Sequence, residues 1–258
     1  MKSCLKYPGA KNRIAPWIVA HIPPHKTYVE PYFGSGAVFF HKEPCKIETI
    51  NDLDEDVYNF FKQVRERPEE LAALLELTPF SRAEYEHCYV KGDTSDIERA
   101  RRFAVRLYQG YSSSGRYMNG WRQSKAVTSP HTTKLWAKYP DMIVQAAARL
   151  KEAQIECRPA LDVIKAHNSP DAFLYVDPPY YPEVRKPCIY THEMRKEDHE
   201  ELLDVLLKHK GRVLLSGYDS PFYDDALKNW KKYSKDTTAD GGMRRTEILW
   251  ANYETFSV

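Results

Sequence analysis

Four short apolar runs constrain the fold of this chain more than any other feature of its sequence. Strands are predicted at residues 27–30, 47–52, 172–177 and 212–216, with a later one at 246–253. In the first four, β-branched and aromatic side chains follow one another with few interruptions, as is typical of parallel strands covered by helices on both faces. Each of these runs is followed by a loop and a helical pattern, so the sequence predicts an α/β fold built from βαβ units.

A long interruption divides this α/β pattern. Between about Leu53 and Gln154 the alternation of strands and helices lapses, and helical patterns with basic residues take its place. A chain of 258 residues exceeds the roughly 100–200 residues of an ordinary domain, which leaves room for an insertion. We therefore expect a discontinuous α/β domain of residues 1–52 and 155–258, with residues 53–154 inserted as a mostly helical unit.

The inserted segment carries a local excess of positive charge. Nine basic residues lie from Arg99 to Lys138, and no acidic residue lies between Glu98 and Asp141. Because the whole chain has a formal net charge of only +2, the remainder of the chain is acidic. Aromatic side chains such as Trp121 stand among these basic residues, and this combination favours contact with nucleic acid. The alternative is a solvated helix face followed by an ordinary polar loop.

A glycine-containing turn follows the first predicted strand. Gly34 and Gly36 stand between that strand and a helical pattern, where glycine lets a ligand approach the backbone closely. Glu30 ends the strand, and its carboxylate suits a cationic or hydroxyl-rich ligand better than a pyrophosphate. Asp52 ends the second predicted strand, as expected of an acid that binds ribose hydroxyls, with a helix N-cap as the alternative. The third glycine of a dinucleotide fingerprint is missing, which disfavours a nicotinamide dehydrogenase.

The most specific motif is Asp177-Pro178-Pro179-Tyr180, which begins at the last residue of the third predicted strand. Two prolines fix φ at successive residues and remove two backbone donors, so their carbonyl oxygens remain as acceptors. The turn thus offers a carboxylate, a carbonyl oxygen and an aromatic ring together. This set suits a planar group bearing an NH2, because both hydrogens are accepted while the ring is stacked. The alternative is a structural turn in which Asp177 caps the strand end and Tyr180 packs.

These motifs together resemble those of the Dam-type adenine-specific DNA methyltransferases, the alpha group of the D12 class. The matching stretches, spread over nearly the whole chain, are Tyr7-Pro8-Gly9-Ala10-Lys11, Glu30-Pro31-Tyr32-Phe33-Gly34-Ser35-Gly36, Asn51-Asp52-Leu53-Asp54, Ala160-Leu161-Asp162 and Asp177-Pro178-Pro179-Tyr180. Leu215-Ser216-Gly217-Tyr218-Asp219 and Arg244-Arg245-Thr246-Glu247-Ile248-Leu249 match less specifically. The first stretch departs from the family pattern, with Ala10 where a second glycine is usual and Tyr7 where tryptophan is common.

The resemblance implies a Rossmann-like, S-adenosylmethionine-dependent methyltransferase sheet with a mostly helical target-recognition insertion. Such an enzyme transfers a methyl group to the N6 amine of an adenine at a specific site in duplex DNA, as in restriction–modification. Asp177 and the carbonyl of Pro178 would accept the hydrogens of the amine, and Tyr180 would stack on the flipped-out base. The residues implied for cofactor binding are Tyr7, Gly9, Lys11, Glu30, Pro31, Phe33, Gly34, Gly36, Asp52, Asp162 and Asp177.

The basic segment is the expected DNA surface of such an enzyme. The residues expected to contact DNA are Arg99, Arg102, Arg116, Arg122, Lys125 and Lys134. Arginine pairs well with guanine edges, so Arg116 and Arg122 are the candidates for base contacts, with a phosphate contact as the alternative for either.

Rival functions share the same motifs. An RNA adenine or a glutamine side chain is another amine acceptor, although relatives that modify glutamine usually carry asparagine where this chain has Asp177. A non-catalytic DNA-binding relative is the rival from another class. The intact Asp-Pro-Pro-Tyr turn disfavours it.

Composition sets the remaining expectations. The first nine residues lack an apolar signal core, and no apolar run approaches the ~18–20 residues that a membrane span needs. Five widely spaced cysteines without a Cys-x-x-Cys pair, and histidines without a third ligand at metal spacing, disfavour a metal centre. We expect a monomeric cytoplasmic protein of a bacterial or phage-infected cell that binds S-adenosylmethionine and double-stranded DNA, but no metal and no membrane.

Overall fold

The computed structural model describes residues 1–111, 115, 117–126, 131–184, 190–238 and 244–254, without the side chains of residues 238 and 244. Within these residues one sheet contains β1 (Thr27–Glu30), β2 (Ile47–Asn51), β3 (Gln154–Glu156), β4 (Ala172–Val176), β5 (Arg212–Tyr218), β6 (Lys231–Thr238) and β7 (Arg244–Ala251). The predicted strands are confirmed as β1, β2, β4, β5 and β7. Neither β3 nor β6 has a counterpart among the predictions, since β3 is three residues long and β6 is polar.

The strand order places a ligand-binding crevice at the middle of the sheet. The order is β3-β2-β1-β4-β5-β7-β6. The first five strands in this order pair in parallel, and β7 pairs antiparallel with both β5 and β6. Val29 of β1 lies between Thr49 of β2 and Leu174 of β4. The order therefore reverses between β1 and β4, and open α/β sheets bind ligands beyond the carboxyl ends of strands at such a point. The predicted α/β fold is confirmed.

Helices cover both faces of the sheet. They are α1 (Ala15–Ala20), α2 (Ala37–His41), α3 (Glu55–Glu66), α4 (Pro68–Glu76), α5 (Arg82–His87), α6 (Asp96–Gln109), α7 (Thr132–Ala137), α8 (Tyr139–Leu150), α9 (Ala160–Ala166), α10 (Lys196–Leu207) and α11 (Pro221–Ala226). Apolar side chains of α1–α4, α6 and α8 form one core, and those of α9–α11 form a second. Phe173 and Tyr175 of β4 belong to the first core, whereas Leu174 and Val176 belong to the second. Alternate residues of a strand face opposite sides, so β4 separates the two cores.

Helix α3 shows how local signals place a polar residue beside the crevice. Asp54 is its N-cap, and Asp54 Oδ1 accepts the N–H of Asp56 at 2.9 Å. The apolar side chains of Val57, Phe60 and Phe61 are fully buried and hold the helix on the sheet. The loop from β2 into α3 is therefore fixed at both ends, which leaves its acidic residues at the edge of the sheet.

The segment predicted as an insertion shares a core with the sheet. Phe61 of α3 packs edge-on against Phe33, with 4.8 Å between ring centroids. Arg149 of α8 donates to both carboxylate oxygens of Glu48 on β2. Helices α3 and α8 thus cover the sheet itself. The division at residues 53–154 stays a prediction, and these contacts restrict any separate unit to the elements between α3 and α8.

Candidate active site

A cavity of about 480 Å³ lies at the carboxyl ends of β1, β2 and β4. This volume is in the range of small-molecule sites, which run to several hundred Å³. Predicted site residues that line it are Tyr7, Gly9, Lys11, Glu30, Pro31, Phe33, Gly34, Asp52 and Asp177. Glu30 ends β1, Asp52 follows β2 and Asp177 follows β4, so the parallel sheet brings the three carboxylates to one edge.

Other predicted residues lie beside the cavity wall. Gly36 closes the glycine turn between the lining residues Ser35 and Ala37. Pro178 lies between the lining residues Asp177 and Pro179. Asp162 is exposed in the first turn of α9, next to the lining residue Leu161. The binding roles of these residues stay predictions.

The glycine turn holds its backbone open to the cavity. Gly34 and Gly36 have φ of +48° and +67°, in the left-handed region that favours glycine. A Cβ atom at Gly36 would lie 2.3 Å from the ring of Phe33, so a larger residue does not fit there. The N–H of Gly34 donates to Asp52 Oδ2 at 2.7 Å, which ties the turn to the end of β2.

Asp52 is a half-buried acceptor of backbone hydrogen bonds rather than a helix cap. Its Oδ1 accepts the N–H of Asp54 at 2.9 Å, while Oδ2 accepts that of Gly34. Since Asp54 is the N-cap of α3, the alternative interpretation of Asp52 as a cap is wrong. Burial raises the pKa of Asp52 to about 7, although the two backbone hydrogen bonds oppose the shift. The ribose-binding role of Asp52 stays a prediction.

Glu30 supplies a fully buried carboxylate at the cavity. Its relative exposure is 2%, and Tyr28 Oη donates to Glu30 Oε2 at 2.6 Å. Burial raises the pKa of Glu30 to about 8; the hydrogen bond from Tyr28 opposes this shift, and the nearby charge of Asp177 adds to it. At neutral pH the carboxyl is therefore mainly protonated, and a cation in the cavity would favour its ionised form.

Lys11 joins the N-terminal segment to the Asp-Pro-Pro-Tyr turn. Its Nζ lies 2.9 Å from Asp177 Oδ2 and donates to the carbonyl of Gly9 at 2.8 Å. Burial, the largest single cause, would lower the pKa of Lys11, but the charges of Asp177 and Glu247, Tyr190 and the hydrogen bond to Asp177 together outweigh it, and the pKa is raised. Within the described part of the chain, the other oxygen, Asp177 Oδ1, is buried without a hydrogen-bond partner. Such an acceptor at a cavity wall calls for an explanation, and an N–H group of a ligand supplies one.

Tyr180 is buried, and its ring is held from two strands. Its hydroxyl donates to Glu247 Oε2 at 2.7 Å. The Tyr180 ring packs edge-on against the Tyr218 ring, with 4.5 Å between the two centroids. Lys11 Nζ lies 4.8 Å from the centroid of the Tyr180 ring. Glu247 and Tyr218 are absent from the predicted site residues. The only signals for them are the two late stretches whose family resemblance is weak.

A segment after the Asp-Pro-Pro-Tyr turn forms another wall that sequence reasoning missed. Tyr190, Thr191 and Met194 line the cavity. Thr191 Oγ1 donates to Asp54 Oδ2 at 2.8 Å, and Tyr7 Oη donates to the same oxygen at 3.2 Å. No motif marks this segment, because its contact with Asp54 spans 137 sequence positions.

The arginines of α6 are paired with acidic side chains. Arg99 Nε lies 2.6 Å from Asp56 Oδ1, and Arg102 Nε lies 2.7 Å from Glu98 Oε1. Arg101 also pairs with Glu98. The sequence places no acid inside the basic segment, but the fold brings acids from α3 and the start of α6 against it. DNA binding by Arg99 and Arg102 stays a prediction, and each would have to contact phosphate while already paired.

A short two-stranded stem follows α6. Gly110 and Trp121 form an isolated antiparallel bridge. The buried amide of Gln109 accepts from Trp121 Nε1 at 3.2 Å, which anchors the stem to the end of α6. Tyr111 and Tyr117 in this loop are 74% and 59% exposed. Exposed aromatic rings on an anchored stem can stack on or between bases.

The other predicted DNA contacts divide into three situations. Arg122, which follows the stem, donates to the carbonyls of Gly110 and Tyr111. Lys125 and Lys134 are exposed. Arg116 lies outside the described residues.

Neither a metal site nor a membrane-spanning helix is found among the residues that the structure describes. Across them, no three His, Cys, Asp or Glu side chains group in a way that would hold a metal ion. None of the helices that the structure describes is both long and apolar enough to cross a membrane.

Comparison with known proteins adds the family. A sequence model of the D12 class N6 adenine-specific DNA methyltransferases matches residues 7–240. A type II methyltransferase of Lactococcus lactis subsp. cremoris, M1.LlaDCHI, is 28% identical over 96% of this chain and 94% of its own. The DNA adenine methylase of Escherichia coli strain K12 is 23% identical over 95% of this chain and 92% of its own.

Solved structures of other methyltransferases also align with this chain. One of them is a SAM-dependent methyltransferase from Agrobacterium tumefaciens, with a TM-score of 0.39 and 11% identity over 95% of this chain and 62% of that one. A TM-score this low carries no argument about the present chain.

Proposed function

The chain belongs to the D12 class N6 adenine-specific DNA methyltransferase family, and from this premise we propose how its residues perform the reaction. The protein is an adenine-specific DNA methyltransferase. The observation that carries the proposal is the buried Asp177 Oδ1, an unpartnered acceptor among the described residues, on the wall of the cavity beside the glycine turn. Family membership also favours DNA over the RNA and protein amines considered above.

S-adenosylmethionine is the proposed cofactor, and the residues at the cavity fit it. When bound, it supplies the methyl group, which it carries on a positively charged sulfur. Glu30 offers a buried carboxylate for a cation, the backbone at Gly34 is accessible, and Asp52 offers oxygens for ribose hydroxyls. Further cofactor contacts are assigned to Tyr7, Gly9, Lys11, Pro31, Phe33, Gly36 and Asp162.

Asp177 and Pro178 are proposed to bind the acceptor amine. Adenine N6 is a poor nucleophile because its lone pair is delocalised into the ring. Asp177 Oδ1 and the carbonyl oxygen of Pro178 accept its two hydrogens, which favours a pyramidal nitrogen with a localised lone pair. Lys11 pairs with the other carboxylate oxygen, so Oδ1 is the acceptor left without a partner among the described residues. Transfer then depends on alignment and on fixed charges, without a covalent enzyme intermediate.

The acceptor adenine is proposed to leave the duplex. A base inside double-stranded DNA cannot reach a turn at the edge of a sheet, so it must be flipped out. Tyr180 offers its ring for stacking, which replaces part of the lost base stacking. Lys125 and Lys134, which are exposed, and Arg122 are proposed to bind the duplex, with the paired arginines of α6 in a lesser part.

The biological setting belongs to the same proposal. We assign target recognition to elements of residues 53–154 that lie between α3 and α8. We also propose that a single chain acts on double-stranded DNA in the cytoplasm of a bacterial or phage-infected cell. The type II name of one relative supports a role in restriction–modification.

Transfer of labelled methyl groups tests the assignment of Asp177. The native chain, given S-adenosylmethionine and mixed-sequence duplex DNA, should produce methyladenine confined to one short motif in single-molecule sequencing. Asp177→Ala should abolish transfer and leave cofactor binding largely intact, because the glycine turn and Glu30 are unchanged. Asp171→Ala, an exposed carboxylate before the same strand, is the matched control and should keep native activity. Near-native turnover by Asp177→Ala would refute the assignment.

A further inference from the structure

Two strands beyond the cavity hold the ring of Tyr180. Tyr218 of β5 and Glu247 of β7 are direct partners in the antiparallel register. Cross-strand partners point to the same face of a sheet, so both side chains reach the Asp-Pro-Pro-Tyr turn together. Glu247 accepts the Tyr180 hydroxyl at 2.7 Å, and Tyr218 packs against the ring at an interplanar angle of 79°. Arg245 donates to the Tyr218 hydroxyl at 2.5 Å and so secures that ring in turn.

These contacts act on the two motions by which a tyrosine ring is displaced. The hydrogen bond at the far end of Tyr180 limits the swing of the whole side chain. The edge-on contact with Tyr218 limits rotation of the ring plane. Since Tyr180 is three positions after Asp177, its ring plane sets where a stacked base lies relative to Asp177 Oδ1. Displacements of about 1 Å at a reacting group lower rates by about 100-fold in some enzymes.

We propose that Glu247 is a positioning residue that fixes the Tyr180 ring for stacking on the acceptor base. This rests on the proposed function of the acceptor site. Glu247 acts through the Tyr180 hydroxyl and contacts neither cofactor nor base. It is 8% exposed and is not among the residues that line the described cavity.

Glu247 could also act only through its negative charge near Lys11, and the test must separate this charge role from the positioning of the Tyr180 ring. Lys11 is paired directly with Asp177, and Glu247 contributes a further negative charge nearby. If only this charge mattered, any carboxylate at position 247 would serve. If the position of the Tyr180 ring matters, residue 247 must have a side chain long enough for its oxygen to accept the Tyr180 hydroxyl.

The test compares Glu247→Gln with Glu247→Asp. Glutamine keeps the length of the side chain and an oxygen that accepts from Tyr180, but loses the charge. Aspartate keeps the charge and withdraws its oxygens by one methylene. On mixed-sequence duplex DNA we expect kcat of the glutamine variant within about threefold of native, because its oxygen still accepts from Tyr180. We expect kcat of the aspartate variant to be lower by about tenfold or more, because its shorter side chain loses that hydrogen bond. KM for S-adenosylmethionine should stay native in both.

The control is Asp236→Asn, which alters an exposed carboxylate on the neighbouring strand β6 and should keep native kcat. The reverse order of the two Glu247 variants would overturn the proposal in favour of a charge role. Native kcat in both variants would overturn it as well. Equal losses in both variants, together with lower melting temperatures, would show a merely structural residue.

A double-mutant cycle checks that the effect passes through Tyr180. Tyr180→Phe removes the hydroxyl, so adding Glu247→Asp to it should lower kcat no further. Additive losses would refute positioning through that hydroxyl. Failure of the native chain to methylate DNA, or activity of Asp177→Ala, would instead refute the proposed function, and either would be seen before the variants are compared.

Discussion

The pKa of Glu30 predicts that cofactor binding is linked to proton release. Burial raises the pKa of this carboxyl to about 8, so at pH 6 the cavity contains a neutral acid. A bound cation favours the carboxylate, and the proton must then leave. The groups that face Glu30 are the Tyr28 hydroxyl on β1, Asp177 after β4 and Lys42 at the end of α2. Without ligand, the raised pKa of Glu30 also lowers the free energy of unfolding as pH rises from about 4.5 to 8, because the carboxyl ionises more easily in the unfolded chain.

The size of the effect follows from the fraction of Glu30 that is ionised before binding. With a pKa of about 8, that fraction is about 1% at pH 6 and about half at pH 8. If Glu30 is fully ionised in the complex, the dissociation constant of S-adenosylmethionine should fall about 50-fold over this range, or ~2.3 kcal/mol. Calorimetry at pH 6.5 in buffers of different ionisation enthalpy should report about one proton released per ligand bound.

Glu30→Gln is the matched variant, because it has the shape of the neutral acid and cannot ionise. Full ionisation of Glu30 in the complex at pH 6 requires a bound pKa of about 5 or lower, so this neutral variant should bind S-adenosylmethionine about 10-fold or more weakly than the native chain at pH 6, and about 500-fold or more weakly at pH 8. Asp52, with a pKa of about 7, titrates in the same range, so a smaller pH dependence should persist in the variant. The reasoning would be refuted if the dissociation constant of Glu30→Gln depended on pH as steeply as that of the native chain. It would also be refuted if the binding enthalpy of the native chain did not depend on the buffer.

Two further predictions concern DNA binding and stability. Lys134→Ala should weaken DNA binding and reduce the magnitude of the slope of log K against log salt by about 0.9. Arg99→Gln should change this slope much less, because Arg99 is already paired with Glu55 and Asp56. Equal slopes for both variants, measured by fluorescence anisotropy, would contradict this difference. Glu48→Gln should lower the free energy of unfolding by about 3–5 kcal/mol, because it leaves Lys42 and Arg149 side by side without their shared carboxylate. Urea titration measures this loss, and a native midpoint would exclude the charge network as a source of stability.

The strands that were predicted correctly are mostly buried, and β4 is the clearest case. β4 is buried at every residue, and a run of five apolar residues follows directly from burial on both faces. β6 follows no such rule, since Lys231–Thr238 lies at the edge of the sheet and most of its described side chains face solvent. An edge strand made of charged and hydroxyl residues looks like a loop in the sequence, because its regularity comes from pairing with β7.

The predicted DNA surface shows a second limit of inference from local sequence patterns. The run of basic residues without acids in its own sequence predicted an exposed positive face. The structure places Asp56 against Arg99 and Arg106, and that pairing comes from packing of α6 on α3. Local charge counts do not include acids from other helices, so the exposed lysines beyond α6 become the better candidates for phosphate contacts.

The amino-acid sequence by itself determined the chemical groups at the site. The Asp-Pro-Pro-Tyr turn and the glycine turn are continuous motifs, whose properties follow from proline, glycine and carboxylate chemistry wherever they stand. Only the tertiary structure decided which atoms of those groups form ion pairs and hydrogen bonds and which remain without a partner. Lys11 binds one oxygen of Asp177 and leaves the other without a partner among the described residues, and Glu247 reaches Tyr180 across 67 sequence positions. Contacts of this range depend on the order and register of the strands, and no local pattern encodes them.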